Sequence, residues 1–500
     1  MKNTLSREGL DNPFGGAFAN KKQSVYNFKK NVKPEFGKNL KQILDDLNLR
    51  DGMVLSFHHH LRNGDFVLKT VMKEIQSRGI KDITLMATAI FPGHEMIVDL
   101  MKDKTVTQII TAYMSGPVAR AVSDGFCEKP VIMTTHGGRP RMLLEKEVVV
   151  DIAFIAAPAV DKNGNISGSE GHSSCGSLGY AVADAETAKK VIAVTDYICD
   201  TVKRPDIKGC FVDAVIQVDK IGDRAGIVSG TTQITRDPVG LKIAADCRRL
   251  IEASGLFKDG FSMQTGAGGV SLAVAAEVQR KMLENKIQGS FGCGGITGYF
   301  VEMLEQGLFK NLYDVQCFDL AAIASIEKNA THQKISANTY ANPNNPEHIA
   351  GKLDTVILGA SEIDLNFNVN VTTGSDGIIL GGSGGHADTA AGAKLTVIVS
   401  KLFNARISSL TENVRTITTP GETVDVFITD RGIAVNPKNT ELIARLKSET
   451  NLNLKTIEEL KEIAEKMTGK PRVLPRSGEI IGISTYRDGT VLDTIDKRIV

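Results

Sequence analysis

Residues Thr372–Lys394 read TTGSDGIILGGSGGHADTAAGAK, and the apolar run LTVIVSKLF begins directly after Lys394. Seven of the 23 residues are glycine. Glycine reaches positive φ at low cost and lets a ligand approach the backbone closely. Backbone N–H groups exposed in such a loop bind anions, above all at a helix N-terminus. We expect the loop to receive the charged end of a cofactor or a carboxylate; the alternative is a set of tight turns between strands.

A weaker copy of this pattern lies in the first half of the chain. Asp151 begins an apolar strand, which is followed by the turn NGN, the loop GSEGHSSCGSLG and the segment AETAKKVIAV. Asp364 begins the second series, which runs through SDG and the glycine loop to AAGAKLTVIV. The distance from Asp to Lys is 38 residues in the first copy and 30 in the second. Two related α/β domains explain the repetition, and in such folds ligands bind at the carboxyl ends of strands and between domains.

Alternating strand and helix patterns divide the chain into two blocks. Residues 1–35 are polar and mixed and predict an N-terminal arm. We assign 36–225 to a first α/β domain and 226–500 to a second, which includes C-terminal hairpins around the turns DRG and RDGT. The predicted fold class is therefore α/β, with two similar, mostly parallel domains and a small antiparallel C-terminal portion.

The composition excludes several classes of protein. The 500 residues are 42% apolar and 23% charged, and the net charge of +1 does not indicate nucleic-acid binding. The N-terminus has no apolar signal-peptide core, and no run is long and apolar enough to span a membrane, so we expect no membrane association. Seven scattered cysteines without a CxxC pair are typical of a reducing cytoplasm.

Two further glycine-rich segments are candidate oxyanion sites. Their residues are Gly266, Ala267, Gly268 and Gly269 in QTGAGG, and Gly292, Cys293, Gly294 and Gly295 in GCGGITG. Each segment is predicted between a strand and a helix, which directs backbone N–H groups at an anion or a developing oxyanion. Tight turns are the alternative. Neither segment has the GxGxxG dinucleotide pattern, and the chain has no GxxxxGK[ST] phosphate-binding loop.

Three consecutive histidines, His58, His59 and His60, are predicted on one strand, with His58 and His60 on one face and His59 on the other. Together with Arg62 they predict a cationic wall for a polycarboxylate. Arg139 follows two glycines and is a further candidate, because arginine binds carboxylates bidentately. Buried histidines, a metal pair and a solvated Arg139 are the alternatives. No third metal ligand has a recognisable spacing, so we expect no metal.

Six motifs together resemble the citrate lyase alpha subunit family, within the wider family of CoA-transferases and acyl-CoA hydrolases. They are SFHHHLRNGD, MTTHGGRP, APAVDKNGNISG, QTGAGGVSLAV, GCGGITGYFVEMLEQG and GGSGGHADTAAGAK, and they extend over nearly the whole chain. Relatives that form a covalent glutamyl thioester carry a Glu near the position of Gly294, whereas Glu302 of this chain is predicted inside a helix. The resemblance therefore implies acyl transfer without a glutamyl-enzyme.

The implied reaction exchanges acetate for citrate on the thioester of an acyl carrier protein or CoA, which is the citrate CoA-transferase step of citrate lyase. The implied cofactor is a CoA-like phosphopantetheine arm on the partner, or acetyl-CoA as its substitute. Expected partners are citrate and the beta (citryl lyase) and gamma (acyl carrier) subunits, and we also expect a homo-oligomer.

The resemblance also implies roles for the candidate residues. The segments QTGAGG and GCGG would stabilise oxyanions, and the histidines and arginines would hold citrate. The residues assigned to the CoA-like arm are Gly381, Gly382, Ser383, Gly384, Gly385 and His386. An acyl-CoA hydrolase, or a CoA-transferase for other carboxylates, is the alternative enzyme; a sensor of acyl-CoA or sugar phosphates is the non-enzymatic one.

Overall fold

The computed structural model describes residues 12–28, 30–228, 232–404, 406–470 and 474–499. The elements of the first half are α1 (Leu40–Asp46), β1 (Val54–Phe57), α2 (Val67–Ser77), β2 (Ile83–Ala87), α3 (Ile97–Lys102), β3 (Val106–Thr111), α4 (Pro117–Ser123), β4 (Val131–Met133), α5 (Gly138–Leu144), β5 (Ile152–Ala157), β6 (Ala159–Asp161), β7 (Ile166–Ser167), α6 (Gly179–Thr187), β8 (Lys190–Thr195), β9 (Ile198–Cys199) and β10 (Ala214–Gln217).

The elements after residue 225 are α7 (Pro238–Ala253), β11 (Ser262–Thr265), α8 (Gly269–Asn285), β12 (Gly289–Ile296), α9 (Gly298–Glu305), β13 (Phe309–Cys317), α10 (Leu320–Lys328), β14 (His332–Lys334), α11 (Ala337–Ala341), β15 (Thr355–Gly359), β16 (Glu362–Asp364), β17 (Val369–Asn370), α12 (His386–Gly392), β18 (Leu395–Val399), β19 (Phe403–Asn404), β20 (Ile407–Ser408), β21 (Leu410–Thr411), β22 (Val426–Thr429), β23 (Gly432–Val435), α13 (Thr440–Glu449), β24 (Leu454–Lys455), α14 (Ile457–Thr468), β25 (Ile480–Thr485) and β26 (Val491–Asp496).

Two nine-stranded sheets form the framework of the molecule. Their strand orders are β10-β8-β5-β1-β2-β3-β4-β25-β26 and β14-β13-β12-β11-β15-β18-β22-β23-β24. Neighbouring strands run parallel except in the hairpins β25–β26 and β22–β23. Helices such as α2 lay an apolar stripe on the sheets: Val71, Met72 and Ile75 are at most 1% exposed. The predicted α/β class with mostly parallel sheets is confirmed.

The last hairpin does not follow the predicted division of the chain. β25 pairs in parallel with β4, with Gly482 opposite Val131, and so extends the first sheet. Its assignment to the second domain is wrong, because alternation along the sequence predicts a hairpin but does not tell which sheet edge it joins. The boundary near residue 225 stays a prediction. In the N-terminal arm, Ser24 N donates to Asn344 O at 2.8 Å and Glu35 N to Asp213 O at 3.0 Å.

Two aspartates show how the halves correspond. Asp151 accepts a hydrogen bond at 2.9 Å from Val54 N, the first N–H of β1, and forms an ion pair with Lys189. Asp354 likewise accepts at 2.9 Å from Ser262 N, the first N–H of β11, and forms an ion pair with Lys394. Asp151 therefore corresponds to Asp354, ten residues before the Asp364 that the sequence comparison chose. Asp364 matches Asp161 instead, since both accept N–H groups from the residues two and four places further on.

The glycine stretch Thr372–Lys394 packs across the boundary between the halves. Gly384 N donates to Ala112 O at 3.0 Å, and Gly384 O accepts from His136 N at 2.8 Å. A Cβ on Gly382 would lie 2.4 Å from Ala112 O. Glycine is needed here because two backbones meet at a distance that leaves no room for a side chain.

Candidate active site

A cavity of about 460 Å³ lies where the carboxyl ends of both sheets face each other. Loops after β1, β2, β3 and β4 form one wall, and loops after β11, β13 and β15 form the opposite wall together with the glycine stretch. Among the described residues that line it, none is Asp or Glu, and Arg62 is the only Lys or Arg. The cavity therefore favours an anionic ligand.

The structure brings together only part of the predicted site. The predicted residues that line the cavity are His59, Arg62, Gly266, Ala267, Gly268, Gly295, Gly381, Gly382, Ser383, Gly384, Gly385 and His386. Those that do not line it are His58, His60, Arg139, Gly269, Gly292, Cys293 and Gly294.

Arg62 places its own guanidinium cation between the two halves. It has a left-handed backbone with φ 52°, and its guanidinium carbon lies 5.3 Å from the ring centroid of Phe91 and 4.9 Å from that of Phe318. Its Nη1 donates to Ile227 O at 3.3 Å. Within the described part of the chain no carboxylate pairs with it. The remaining donors of Arg62 are available to a carboxylate of a ligand.

The three histidines do not form the predicted cationic wall. β1 ends at Phe57, so they lie in the loop after the strand. His58 and His60 contact each other through Nδ1, and His58 Nε2 accepts from Ala156 N at 3.0 Å. Burial lowers the pKa of His58 to about 4 and holds the pKa values of His59 and His60 well below the usual range. The rings are neutral at pH 7, and of the three only His59 lines the cavity.

Arg139 is a buried structural residue rather than a ligand for substrate. It lies on α5 and is 2% exposed. Its Nη2 donates to Asp184 Oδ1 at 2.8 Å and to Ser56 Oγ at 2.7 Å. The predicted contact of Arg139 with citrate is wrong, because the sequence pattern could not reveal the acidic partner that follows 45 residues later.

The loop after β11 presents backbone rather than side chains. A Cβ on Gly268 would meet no atom within 4 Å, and one on Gly266 would find its nearest neighbour at 3.7 Å. The 17-residue helix α8 begins directly after Gly268, which makes no side-chain cap. Helix N-termini of this kind leave N–H groups free for an anion.

The GCGG segment lies inside β12 and not in a loop, so its prediction as a strand-to-helix turn is wrong. A Cβ on Gly294 would come within 2.7 Å of the Gln264 side chain, and one on Gly292 within 2.5 Å of the Phe300 ring. These glycines make room for neighbouring side chains, and only Gly295 lines the cavity. Glu302 lies on α9, as predicted.

His386 begins α12 at the end of the glycine stretch. Its Nδ1 lies 2.7 Å from Thr419 Oγ1 and its Nε2 lies 2.9 Å from Gly359 O. Burial lowers its pKa to about 4. Both ring nitrogens have partners, so His386 orients the segment Gly381–Gly385 along the cavity as a neutral side chain.

Sequence reasoning missed several aromatic and amide side chains of the site. His136 packs against Tyr180 in a tilted arrangement with ring centroids 4.3 Å apart, and Gln264 Nε2 donates to Tyr340 OH at 2.8 Å. Burial, with Arg139 as the second cause, lowers the pKa of His136 to about 3. The motif MTTHGGRP could have pointed to His136, since it stands beside two glycines after a strand. Tyr180 and Tyr340 lie on helices and carry no local signal.

The described ranges contain no metal centre and no membrane-spanning helix. No group of three or more His, Cys, Asp or Glu there is arranged to hold a metal ion. None of the helices found in those ranges is long and apolar enough to cross a membrane. All seven cysteines are free thiols.

Comparison with known proteins identifies the family. The family described as "Citrate lyase, alpha subunit (CitF)" matches residues 34–498. The citrate lyase alpha chain of Haemophilus influenzae is 44% identical over 457 residues, 91% of each chain. That of Escherichia coli K12 is 41% identical over 482 residues, 96% of this chain and 94% of the relative. The chain belongs to the citrate lyase alpha subunit family. It is thus an enzyme subunit.

Two solved structures have the same fold. A citrate lyase alpha subunit from Streptococcus mutans, crystallised in complex with citrate, superposes with a TM-score of 0.91 at 39% identity over 96% of both chains. A malonate decarboxylase from Pseudomonas, 14% identical over 87% of this chain and 88% of its own, shares the fold with a TM-score of 0.64.

Proposed function

We propose that this chain exchanges acetate for citrate on the thioester of a CoA-like arm, as the transferase component of citrate lyase. The observation that carries the proposal is Arg62, a half-buried cation held between Phe91 and Phe318 with no carboxylate partner among the described residues. The citrate-bound relative from Streptococcus mutans supports the choice of carboxylate. An acyl carrier subunit and a citryl lyase subunit would be the partners.

The exchange needs two substitutions at carbonyl carbon. A citrate carboxylate oxygen attacks the acetyl thioester, the C–S bond breaks, and a thiolate and an acetyl–citryl anhydride result. The thiolate then attacks the citryl carbonyl, the C–O bond breaks, and acetate leaves. Carboxylate and thiolate are already nucleophiles, so neither step needs a general base. The protein has to align the reactants and stabilise two tetrahedral oxyanions.

The cavity offers groups for each task. Arg62 would hold a citrate carboxylate through its free donors. The backbone N–H groups of Ala267, Gly268 and the start of α8 would face the oxyanions, because no side chain of the protein occupies that helix end, whereas Gly266 N donates to Ile357 O at 2.8 Å. Gly381–His386 would border the thioester end of the arm. The absence of Asp and Glu from the described lining favours direct attack by citrate over attack by an enzyme carboxylate.

The test mixes the purified chain with acetyl-CoA and citrate and follows the products by mass spectrometry. We expect citryl-CoA and acetate in equal amounts. Free CoA and acetate at the same rate without citrate would show an acyl-CoA hydrolase instead. Citryl-CoA formation that is unchanged by Arg62→Ala would contradict the role of Arg62.

A further inference from the structure

His59 is held by Thr88, the residue directly after β2. The backbone N–H of His59 donates to Thr88 Oγ1 at 3.0 Å, and the ring Nδ1 of His59 lies 2.5 Å from the same oxygen. His59 is 4% exposed and Thr88 is 1% exposed. Tyr180 stacks on the His59 ring with centroids 5.1 Å apart. The ring therefore has a fixed position and a fixed polar neighbour.

The hydrogen-bond capacity of Thr88 determines which ring nitrogen of His59 carries the proton. A hydroxyl has one hydrogen to donate and two lone pairs. One lone pair accepts the His59 N–H, and within the described residues the hydroxyl meets no acceptor other than Nδ1. Since a buried hydroxyl is costly to leave without an acceptor, Thr88 donates to Nδ1. The ring's own proton is then on Nε2.

We infer that Thr88 sets the tautomer of His59, so that His59 presents a neutral Nε2–H donor to the cavity. The inference rests on the proposed function, in which a substrate oxygen accepts this hydrogen bond. Thr88 does not line the cavity and is a positioning residue, whereas His59 is a catalytic residue. Gln316, which also lines the cavity, donates to His59 O at 3.4 Å and forms a side-chain hydrogen bond with His59.

A neutral donor suits the proposed chemistry. The exchange consumes and releases no proton, so a group that gave up its proton to the thiolate would remove the nucleophile of the second step. A neutral imidazole donates a hydrogen bond without giving up its proton. Burial, followed by the charges of His136 and Arg62, keeps the pKa of His59 well below the usual range, which agrees with this role.

The tautomer can be measured without any assay of activity. Two-bond proton–nitrogen spectra of the full-length chain, labelled with nitrogen-15 in its histidine rings, report which nitrogen bears hydrogen. His59→Gln assigns the resonances. We expect a protonated Nε2 and an unprotonated Nδ1 at neutral pH. A protonated Nδ1 or a charged ring would overturn the inference even if the citrate exchange is confirmed; the expected spectrum would stand even if the exchange fails.

Kinetics with acetyl-CoA and citrate test the positioning role. Thr88→Val should lower kcat about tenfold, the effect of one lost hydrogen bond, with little change in the KM for citrate. Thr88→Ser should restore both the rate and the spectrum. His59→Gln, which keeps a neutral donor, should retain more activity than His59→Leu.

Thr105→Val is the matched control for Thr88→Val. Thr105 is fully buried directly before β3, at the end of the strand away from the cavity, and does not line the cavity, so we expect full activity. An unchanged rate and spectrum in Thr88→Val would overturn the positioning role. So would a loss that Thr88→Ser does not recover.

Discussion

β1 and β11 are each the fourth strand in the order of their nine-stranded sheets, and each leads into a loop that lines the cavity. The loop after β1 contains His59 and Arg62, whose side chains reach the ligand space. The loop after β11 contains Gly266, Ala267 and Gly268 and presents backbone. The same position in a repeated fold thus supplies side-chain groups in one half and N–H groups in the other.

The helices that follow these two loops also differ, because only the first has a side-chain cap at its N-terminus. The carboxylate of Asp65 caps α2 by accepting from Val67 N at 3.2 Å and from Leu68 N at 3.1 Å. α8 begins after Gly268 without a side-chain cap. A capped helix end is closed to other anions, and an uncapped one facing a cavity is open to them. In the proposed reaction the first half would recognise a carboxylate and the second would stabilise an oxyanion.

We expect the largest effect from removing Arg62, the cation that the first half places in the cavity. Arg62→Ala should lower kcat/KM for citrate about 10³-fold, the equivalent of two charge-assisted hydrogen bonds to a carboxylate. Steady-state kinetics at varied citrate measure it. Arg120→Ala, an exposed arginine on α4, is the control and should behave as wild type. Equal losses in both variants would remove the specific role of Arg62.

A second variant gives the helix of the second half the side-chain cap that the first half already has. Gly268 has φ −73° and ψ 149°, which any residue adopts, so Gly268→Asp can cap α8 as Asp65 caps α2. We expect kcat to fall about 10²-fold, as when an oxyanion donor is lost. Stability should be equal or slightly higher, because Asp is a better N-cap than Gly. Gly268→Ala should remain active. An active Gly268→Asp enzyme would show that the helix end does not serve catalysis.

The third prediction concerns the contact that holds the halves together. Asp388 accepts from Gly137 N at 2.8 Å and from Thr135 Oγ1 at 2.9 Å, and Arg487 Nε lies 3.6 Å away. Asp388→Ala should reduce the free energy of unfolding by about 3–5 kcal/mol, because it leaves a buried cation without its partner. Denaturant titration measures the loss, and a change below 1 kcal/mol would contradict it.

The smallest expected effect is a dependence of stability on pH. Burial lowers the pKa values of His58, His136, His348 and His386 to about 4, 3, 4 and 4. Unfolded histidine titrates near about 6.5, so the unfolded chain binds more protons below that pH. The stability from these histidines is present above pH 6.5 and is lost as the pH falls. Asp388 acts in the opposite sense, because burial raises its pKa to about 6 and its contribution grows below that pH.

Four histidines outweigh two carboxyl groups, Asp388 and Glu186, because burial also raises the pKa of Glu186 to about 7. The unfolded chain then binds a net of about two more protons in this range. The free energy of unfolding should therefore fall by about 3 kcal/mol per pH unit between about pH 6 and pH 5. Denaturant midpoints measured across that range give this slope. His136→Gln should reduce the slope by the contribution of about one bound proton. A constant or rising stability on acidification would mean that these histidines are already charged in the folded protein.

The sequence revealed the repeat, because strand alternation and glycine turns are local signals. It placed the glycine loops after β11 and before α12 at the cavity for the same reason. The register of the repeat, the sheet that β25 joins and the partner of Arg139 depend on contacts between distant residues, and no local pattern contains them. Burial also reversed the electrostatics of the histidines: a run of three predicts positive charge, yet the folded loop excludes the water that would stabilise it.

In the proposed reaction citrate attacks the acetyl thioester directly, in a cavity whose described lining has no Asp or Glu. A single turnover with citrate labelled with oxygen-18 in its carboxylates tests it. Direct attack transfers one labelled oxygen through the anhydride to the first acetate released, and mass spectrometry detects it. First-turnover acetate without oxygen-18 would contradict direct attack, since its second oxygen would then come from an enzyme carboxylate or from water.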